Sequence, residues 1–235
     1  MSRYDSIARL YDPWSVSVVE DVEHYVGLAR DAGGPIVELG VGTGRVAVPT
    51  AAAGIRVIGV DSSRGMLEVC SEAAAAAGVA HLLDLRVGDL AVPPVHERVR
   101  LVTCPFRAYL HLRDDGSRLR ALRAARELLV PGGLLAFDVF APGADDVAAT
   151  HDRWVEREPG IFERARWDTE QRTLTLSVRG EHGETTMELA WLSPDEWRAL
   201  IERAGFVVVS HHGWFDGSPY RGGEDSVWIA RRPTG

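Results

Sequence analysis

Apolar positions along the chain first mark an amphipathic helix. Val18, Val22, Tyr25, Val26 and Ala29 recur at helical spacing within Val16 to Arg30, and Gly33-Gly34-Pro35 closes the run. Short apolar runs then alternate with longer helical ones. Strands are expected at Ile36 to Leu39, Arg56 to Val60, Leu82 to Val87, Arg100 to Thr103 and Leu134 to Phe140, with helices over about Gly44 to Ala53, Ser63 to Ala77 and Arg118 to Leu129. Gly54, Gly78 and Pro131-Gly132-Gly133 stand where those helices should stop. Strands that are apolar throughout are covered on both faces, and their alternation with helices builds a parallel sheet, so the first part of the chain is α/β.

Past residue 150 the period drops to two. Trp154 to Glu158, Ile161 to Trp167, Thr173 to Arg179 and Thr185 to Trp191 alternate in polarity and are separated by turn-formers such as Pro159-Gly160 and Glu181-His182-Gly183, which predicts an antiparallel insert over about 152–192. Ser193-Pro194-Asp195-Glu196 is a capping box with proline at the first helical position. Trp197, Leu200, Ile201 and Ala204 give the helix that follows one apolar face. Phe206 to Ser210 and Val227 to Ala230 read as two last strands joined by a long connection. The whole chain, 1–235, reads as one domain, with residues 1–34 forming an N-terminal helical lid.

Composition narrows the chemistry. The 235 residues include 26 Lys+Arg and 34 Asp+Glu, a net charge of −8, and every one of those cations is arginine. Without lysine there is no Schiff base and no phosphate-loop lysine. The acidic balance argues against a nucleic-acid partner, which would call for a clustered cationic surface. Cys70 and Cys104 are too few for a disulfide framework and read as reduced thiols, and neither a signal peptide nor a membrane span is apparent, so a cytoplasmic location is expected.

The most informative stretch is Ile36-Val37-Glu38-Leu39-Gly40-Val41-Gly42-Thr43-Gly44-Arg45, a strand entering a glycine-rich turn that opens a helix. Glycines there let the backbone approach a ligand closely. A dinucleotide loop would carry its third glycine where this chain has Arg45. An acid just before the loop disfavours a pyrophosphate and suits an α-ammonium, a partner that Glu38 can help to hold.

The motif resembles the first motif of class I S-adenosylmethionine-dependent methyltransferases, and the resemblance extends over essentially the whole chain. It implies a Rossmann-like seven-stranded, mostly parallel sheet with helices on both faces and an antiparallel β insert. It also implies the cofactor S-adenosylmethionine (SAM), with S-adenosylhomocysteine (SAH) as product. The resemblance gives Gly40, Gly42 and Gly44 to the cofactor loop and Asp61, at the end of Val57-Ile58-Gly59-Val60-Asp61, to the ribose hydroxyls. Asp89 in Gly88-Asp89-Leu90 falls to the adenine amine, and Ser62, Met66, Leu90, Cys104 and Phe106 to the remaining cofactor wall. Tyr4-Asp5-Ser6-Ile7-Ala8-Arg9-Leu10-Tyr11-Asp12 resembles a segment of small-molecule methyltransferases whose second tyrosine, here Tyr11, closes over the methionine end.

A sulfonium already activates the methyl group, so such an enzyme chiefly aligns a nucleophile, and a base is needed only for a protonated one. The fourth strand runs into Cys104-Pro105-Phe106-Arg107-Ala108-Tyr109-Leu110-His111, whose polar groups are placed nearest the methyl. His111 is the first base candidate and His211 the second, while Arg107 and Tyr109 are candidate acceptor contacts. No acid stands at this strand end where a metal-dependent catechol-type enzyme would want one, so no metal is expected. His211-His212-Gly213-Trp214-Phe215-Asp216-Gly217-Ser218-Pro219-Tyr220 is aromatic and turn-rich, and Trp214, Asp216 and Tyr220 are candidates to line an acceptor pocket. The reading is a SAM-dependent methyltransferase acting on nitrogen or oxygen of a small molecule. It resembles the sugar-amine and glycine-type N-methyltransferases, a likeness that implies a homodimer. An RNA or protein substrate, and a non-catalytic SAM-binding module, are the alternatives.

Overall fold

The computed structural model describes residues 19–181 and 183–235, so Tyr11 with its Tyr4 to Asp12 segment, and His182, lie outside the described residues. Helix α1 (Glu20–Ala32) ends at Gly33, whose φ of 65° supplies the left-handed turn into β1 (Ile36–Leu39). There follow α2 (Ala47–Ala52), β2 (Val57–Asp61), α3 (Arg64–Ala76), β3 (Leu83–Val87), β4 (Val99–Cys104), α4 (Asp115–Leu128) and β5 (Leu129–Phe140). Two of these helices start on side-chain caps. Ser63 Oγ accepts from the Met66 amide at the head of α3, and Asp114 accepts from that of Ser117 at the head of α4. That second cap starts α4 ahead of the expected Arg118, and β5 likewise begins ahead of Leu134, running through Pro131-Gly132-Gly133.

One sheet takes the order β10-β11-β5-β4-β1-β2-β3. Strands β1 to β5 are parallel, and β11 (Asp225–Arg231) runs antiparallel to both β5 and β10 (Val207–His212). Strand order reverses beside β1, the place in an open α/β sheet where loops diverge and leave a crevice at the carboxyl ends of the strands. Alternate residues of each strand serve opposite cores. Ile36, Val57, Leu101 and Ala136 pack with Tyr25, Ala29, Leu67 and Cys70 of α1 and α3, whereas Val37, Ile58, Val102 and Phe137 pack toward Leu122 of α4 and Trp197 of α6 (Pro194–Arg203).

Between α5 (Ala144–Thr150), a short helix with no apolar stripe to announce it, and α6 lies the antiparallel insert. Its strands β6 (Trp154–Glu158), β7 (Ile161–Asp168), β8 (Thr173–Gly180) and β9 (Gly183–Ala190) pair in sequence order. One face is apolar, with Ala165, Leu174, Leu176, Met187 and Leu189 continuous with the α4 and α6 core. Trp167 meets Phe140 edge to face at 5.9 Å, and the buried Arg118 donates to the Ala190 carbonyl at 2.8 Å. No described helix is long and apolar enough to cross a membrane.

Trp197 is the keystone of the α6 side, fully buried against Phe137 and Tyr109 at ring distances of 5.5 and 6.3 Å. Trp197→Ala is expected to cost about 3 to 5 kcal/mol, read as a lower midpoint in urea unfolding.

Candidate active site

The glycine loop is held from below by β2. Gly40 and Val41 amides both donate to the Val60 carbonyl, at 2.8 and 3.1 Å, and the Gly42 amide donates to Asp61 at 3.0 Å. The other Asp61 oxygen accepts from the Ser63 amide at 2.8 Å, so one carboxylate fixes both the loop and the start of α3. The three glycines do different work. A side chain on Gly40 would strike Ala108 at 2.9 Å, and one on Gly44 would strike the Cys70 sulfur at 2.6 Å, but at Gly42 it would project into open space above the loop. All three have positive φ, which glycine adopts without the Cβ clash.

That open space is a cleft of about 340 Å³ bounded by Gly40, Gly42, Asp61, Ser62, Met66, Gly88, Asp89, Leu90, Phe106 and His111. The sequence thus brings nine of its candidates together here. Asp89 stands exposed at the rim, one oxygen accepting from the Ala91 amide at 2.7 Å. Glu38 and Gly44 lie behind the wall. Glu38 is buried on the α1 face of β1, where burial pushes its carboxyl up to about 8, and its Oε2 has no hydrogen-bond partner among the described residues. A buried acid with an orphaned oxygen behind the glycine loop is a group that an ammonium ligand would satisfy.

A second cavity, of about 490 Å³, opens on the other side of Phe106 and His111, which line both. Its floor is the apolar face of the insert, and Phe140, Trp167, Trp214 and Arg107 stand around it. Carboxylates dominate the wall: Glu20, Asp21, Asp138, Asp146, Glu163, Glu224 and Asp225, against Arg107 and Arg157. Arg107 is committed to Asp225 at 2.7 Å and stacks over Phe140. His111 lies exposed where the two cavities join, and desolvation by its neighbours lowers its pKa, so the imidazole is neutral at pH 7.

The partition between the cavities is built on an unusual backbone. Phe106 and Arg107 have φ of 54° and 63°, left-handed values that cost a non-glycine residue about 1 to 3 kcal/mol each. Asp138, on β5, accepts from both of their amides, at 2.8 and 3.1 Å, and from the Tyr25 hydroxyl of α1 at 2.6 Å. Complete burial outweighs these donors and raises the Asp138 carboxyl to about 6. The Phe106 ring is covered by the Arg45 guanidinium at 4.3 Å, itself gripped by Asp21 of α1 through two bonds. Asp138, Tyr25, Asp21 and Arg45 were not among the expected site residues. The signal for Asp138 was present as a single acid inside the apolar run Leu134 to Phe140.

Five candidates lie elsewhere. Tyr109 is fully buried against Phe137 and Trp197, turned into the core by the 3-10 turn Ala108–His111, and cannot touch an acceptor. Cys104 is likewise buried, its thiol pushed well up by burial, and lies outside both linings. His211 is stacked between Tyr220 and Trp228 at 4.2 and 3.7 Å and bonded to Ser226, which removes it from the base position. Tyr220 is spent on that stack and on the Gly223 carbonyl, and Asp216 caps its own turn at the Ser218 amide. Of the aromatic C-terminal connection only Trp214 and Phe215 reach the larger cavity.

A methyltransferase domain model matches residues 36–133, the stretch from β1 into β5 that contains the smaller cleft. The cypemycin N-terminal methyltransferase of Streptomyces sp is 26% identical over 203 residues, covering 80% of this chain and 78% of that protein. Among solved structures, the CcbJ methyltransferase from Streptomyces caelestis superposes with a TM-score of 0.87 at 29% identity, over 99% of this chain and 98% of the other. SAM-bound CalS10, an amino pentose methyltransferase from Micromonospora echinaspora, shares the fold with a TM-score of 0.67 at 19% identity, each chain covered to 95%. With the strand order and the glycine loop, these matches show a methyltransferase domain over residues 36–133 on the fold of S-adenosylmethionine-dependent methyltransferases.

Proposed function

We propose that the enzyme transfers the methyl group of SAM to the nitrogen of a small-molecule amine bound in the larger cavity. The observation that carries this reading is the meeting of two cavities at Phe106 and His111, one walled by the glycine loop, the other by carboxylates over an apolar floor. SAM brings an activated methyl on a positively charged sulfur. Asp61 would take the ribose hydroxyls, Asp89 the adenine amine, with Met66 and Leu90 on the adenine faces and Glu38 toward the α-ammonium.

The cavity wall selects charge before the chemistry begins. A wall of seven carboxylates and two arginines attracts a cation and repels an anion, so a protonated amine enters more readily than a carboxylate or a phosphate backbone. The amine must then lose its proton to attack. His111, neutral at pH 7 and set where the cavities join, is the group placed to take that proton. Trp214, Trp167 and Phe140 flank the body of the acceptor, and closeness of the nucleophile to the methyl supplies most of the rate. The cypemycin N-terminal methyltransferase, 26% identical, is named for a terminus that carries an amine, which supports nitrogen over oxygen. A cytoplasmic setting is supported by the two free cysteines, and a homodimer by the likeness to sugar-amine enzymes.

A methyl-transfer screen over amines, amino sugars and phenols tests the reading: turnover with amines and not with phenols is expected, and the reverse result refutes it. Asp61→Ala should weaken SAH binding by about tenfold or more, as loss of a charged hydrogen-bond partner implies, and should also lower the unfolding midpoint, since the Gly42 and Ser63 amides lose their acceptor; isothermal titration and thermal unfolding read the two effects. His111→Ala should lower kcat by about 100-fold with the native amine. Because Glu38 carries a proton at pH 7 in the free protein and an ammonium favours its ionised form, SAM binding should release about one proton. Titration at pH 7 in two buffers of different ionisation enthalpy measures that release, and Glu38→Gln should abolish it.

A further inference from the structure

Strand β5 is apolar along its buried length apart from Asp138, and nothing in methyl transfer itself asks for an acid there. It is 5 % exposed, borders the larger cavity and takes no part in the lining of the cofactor cleft. Its oxygens are occupied by the Phe106 and Arg107 amides and by the Tyr25 hydroxyl. Two successive amides of this turn converge on one carboxylate, an anion-binding arrangement, and both residues of the turn are left-handed. Neither Phe nor Arg enters that region unaided.

We propose that Asp138 is a positioning residue for methyl transfer: its carboxylate holds the Phe106–Arg107 step left-handed, keeping the Phe106 ring in the wall shared by cofactor cleft and acceptor cavity. Without this anchor the step relaxes toward ordinary φ, the Phe106 ring leaves the Arg45 guanidinium, and the cleft loses a wall. The Tyr25 hydroxyl and the Asp21–Arg45 pair link the same partition to α1, so helix and partition move together. The inference rests on the reading of the smaller cleft as the cofactor site.

SAH serves as the probe, titrated calorimetrically into wild type, Asp138→Asn, Arg107→Gly and the double variant, each also unfolded thermally. Asp138→Asn is expected to weaken SAH binding about tenfold at pH 7.5, the loss of one charge-assisted hydrogen bond. Glycine at 107 adopts the left-handed φ freely, so the same substitution in the Arg107→Gly background should cost about threefold or less. An Asp138→Asn protein that binds SAH as wild type does, with only its melting temperature lowered, overturns the proposal, as does an equal loss of affinity in both backgrounds.

Glu38→Gln supplies a further measurement should Asp138→Asn fail to fold. Tyr25 and Asp21 of α1, Cys104 at the end of β4, and Arg107 are the ionisable groups facing Asp138. Glu38 at about 8 and His111 at about 4 titrate on either side of it. A carboxyl that gains a proton no longer accepts from both amides, so in Glu38→Gln, which removes the Glu38 proton release, SAH affinity should still fall as pH drops through about 6. Adding Asp138→Asn to that background should remove the limb. Affinity that stays level from pH 7 to 5 in Glu38→Gln overturns the proposal. Failure of the underlying reading shows differently, as wild type binding no SAH at any pH, and takes the proposal with it.

Discussion

A carboxylate placed in the dry interior of a parallel sheet must find its donors outside its own strand, because ladder amides are already taken. Asp138 finds three, two from the turn after β4 and one from α1. Much else in the site follows from that arrangement. The turn after β4 is bent left-handed, Phe106 becomes a partition, Arg107 is thrown toward Asp225, and α1 is tied across the crevice at Tyr25. Asp21, one helical turn before Tyr25, holds Arg45 against the other face of the partition. The partition between the two cavities therefore sits between two buried acids, Asp138 and Asp21.

Asp61 reaches back to the glycine loop and forward to the head of α3, so loop and helix share one anchor. Binding can then use a preformed site and lose little to ordering. On the acceptor side the design is looser. Phe140, Trp167 and Trp214 come from three separate segments, and the carboxylates around them are only partly matched by arginine.

Sequence periodicity located all eleven strands of the described chain to within a few residues, apart from the early start of β5, because covered parallel strands and a half-buried antiparallel insert leave different periods. The capping box at Ser193 gave the start of α6 directly. That Asp61, Ser62, Met66 and Asp89 meet in one cleft was legible, since strand end, turn and helix head are local sequence. The acceptor side was not. Tyr109 and His111 are two residues apart, yet a 3-10 turn sends one into the core and leaves the other at the junction, and no spacing rule distinguishes them. His211 looked free to act as a base, but its strand partner Trp228 and the returning Tyr220 take both of its ring faces. Asp138, Glu224 and Asp146 converge from distant segments, information that resides in the topology.

The insert contributes the floor of the larger cavity and nothing to the lining of the smaller one. It forms a sheet of its own, entering after α5 and leaving before α6, and meets the main body through Trp167, Arg118 and its apolar face. Side chains at 165, 174, 176, 187 and 189 can therefore drift or be redesigned independently of the glycine loop. Acceptor range and cofactor use are, in this architecture, separately evolvable properties of one chain, and the partition at Phe106 is the seam along which they divide.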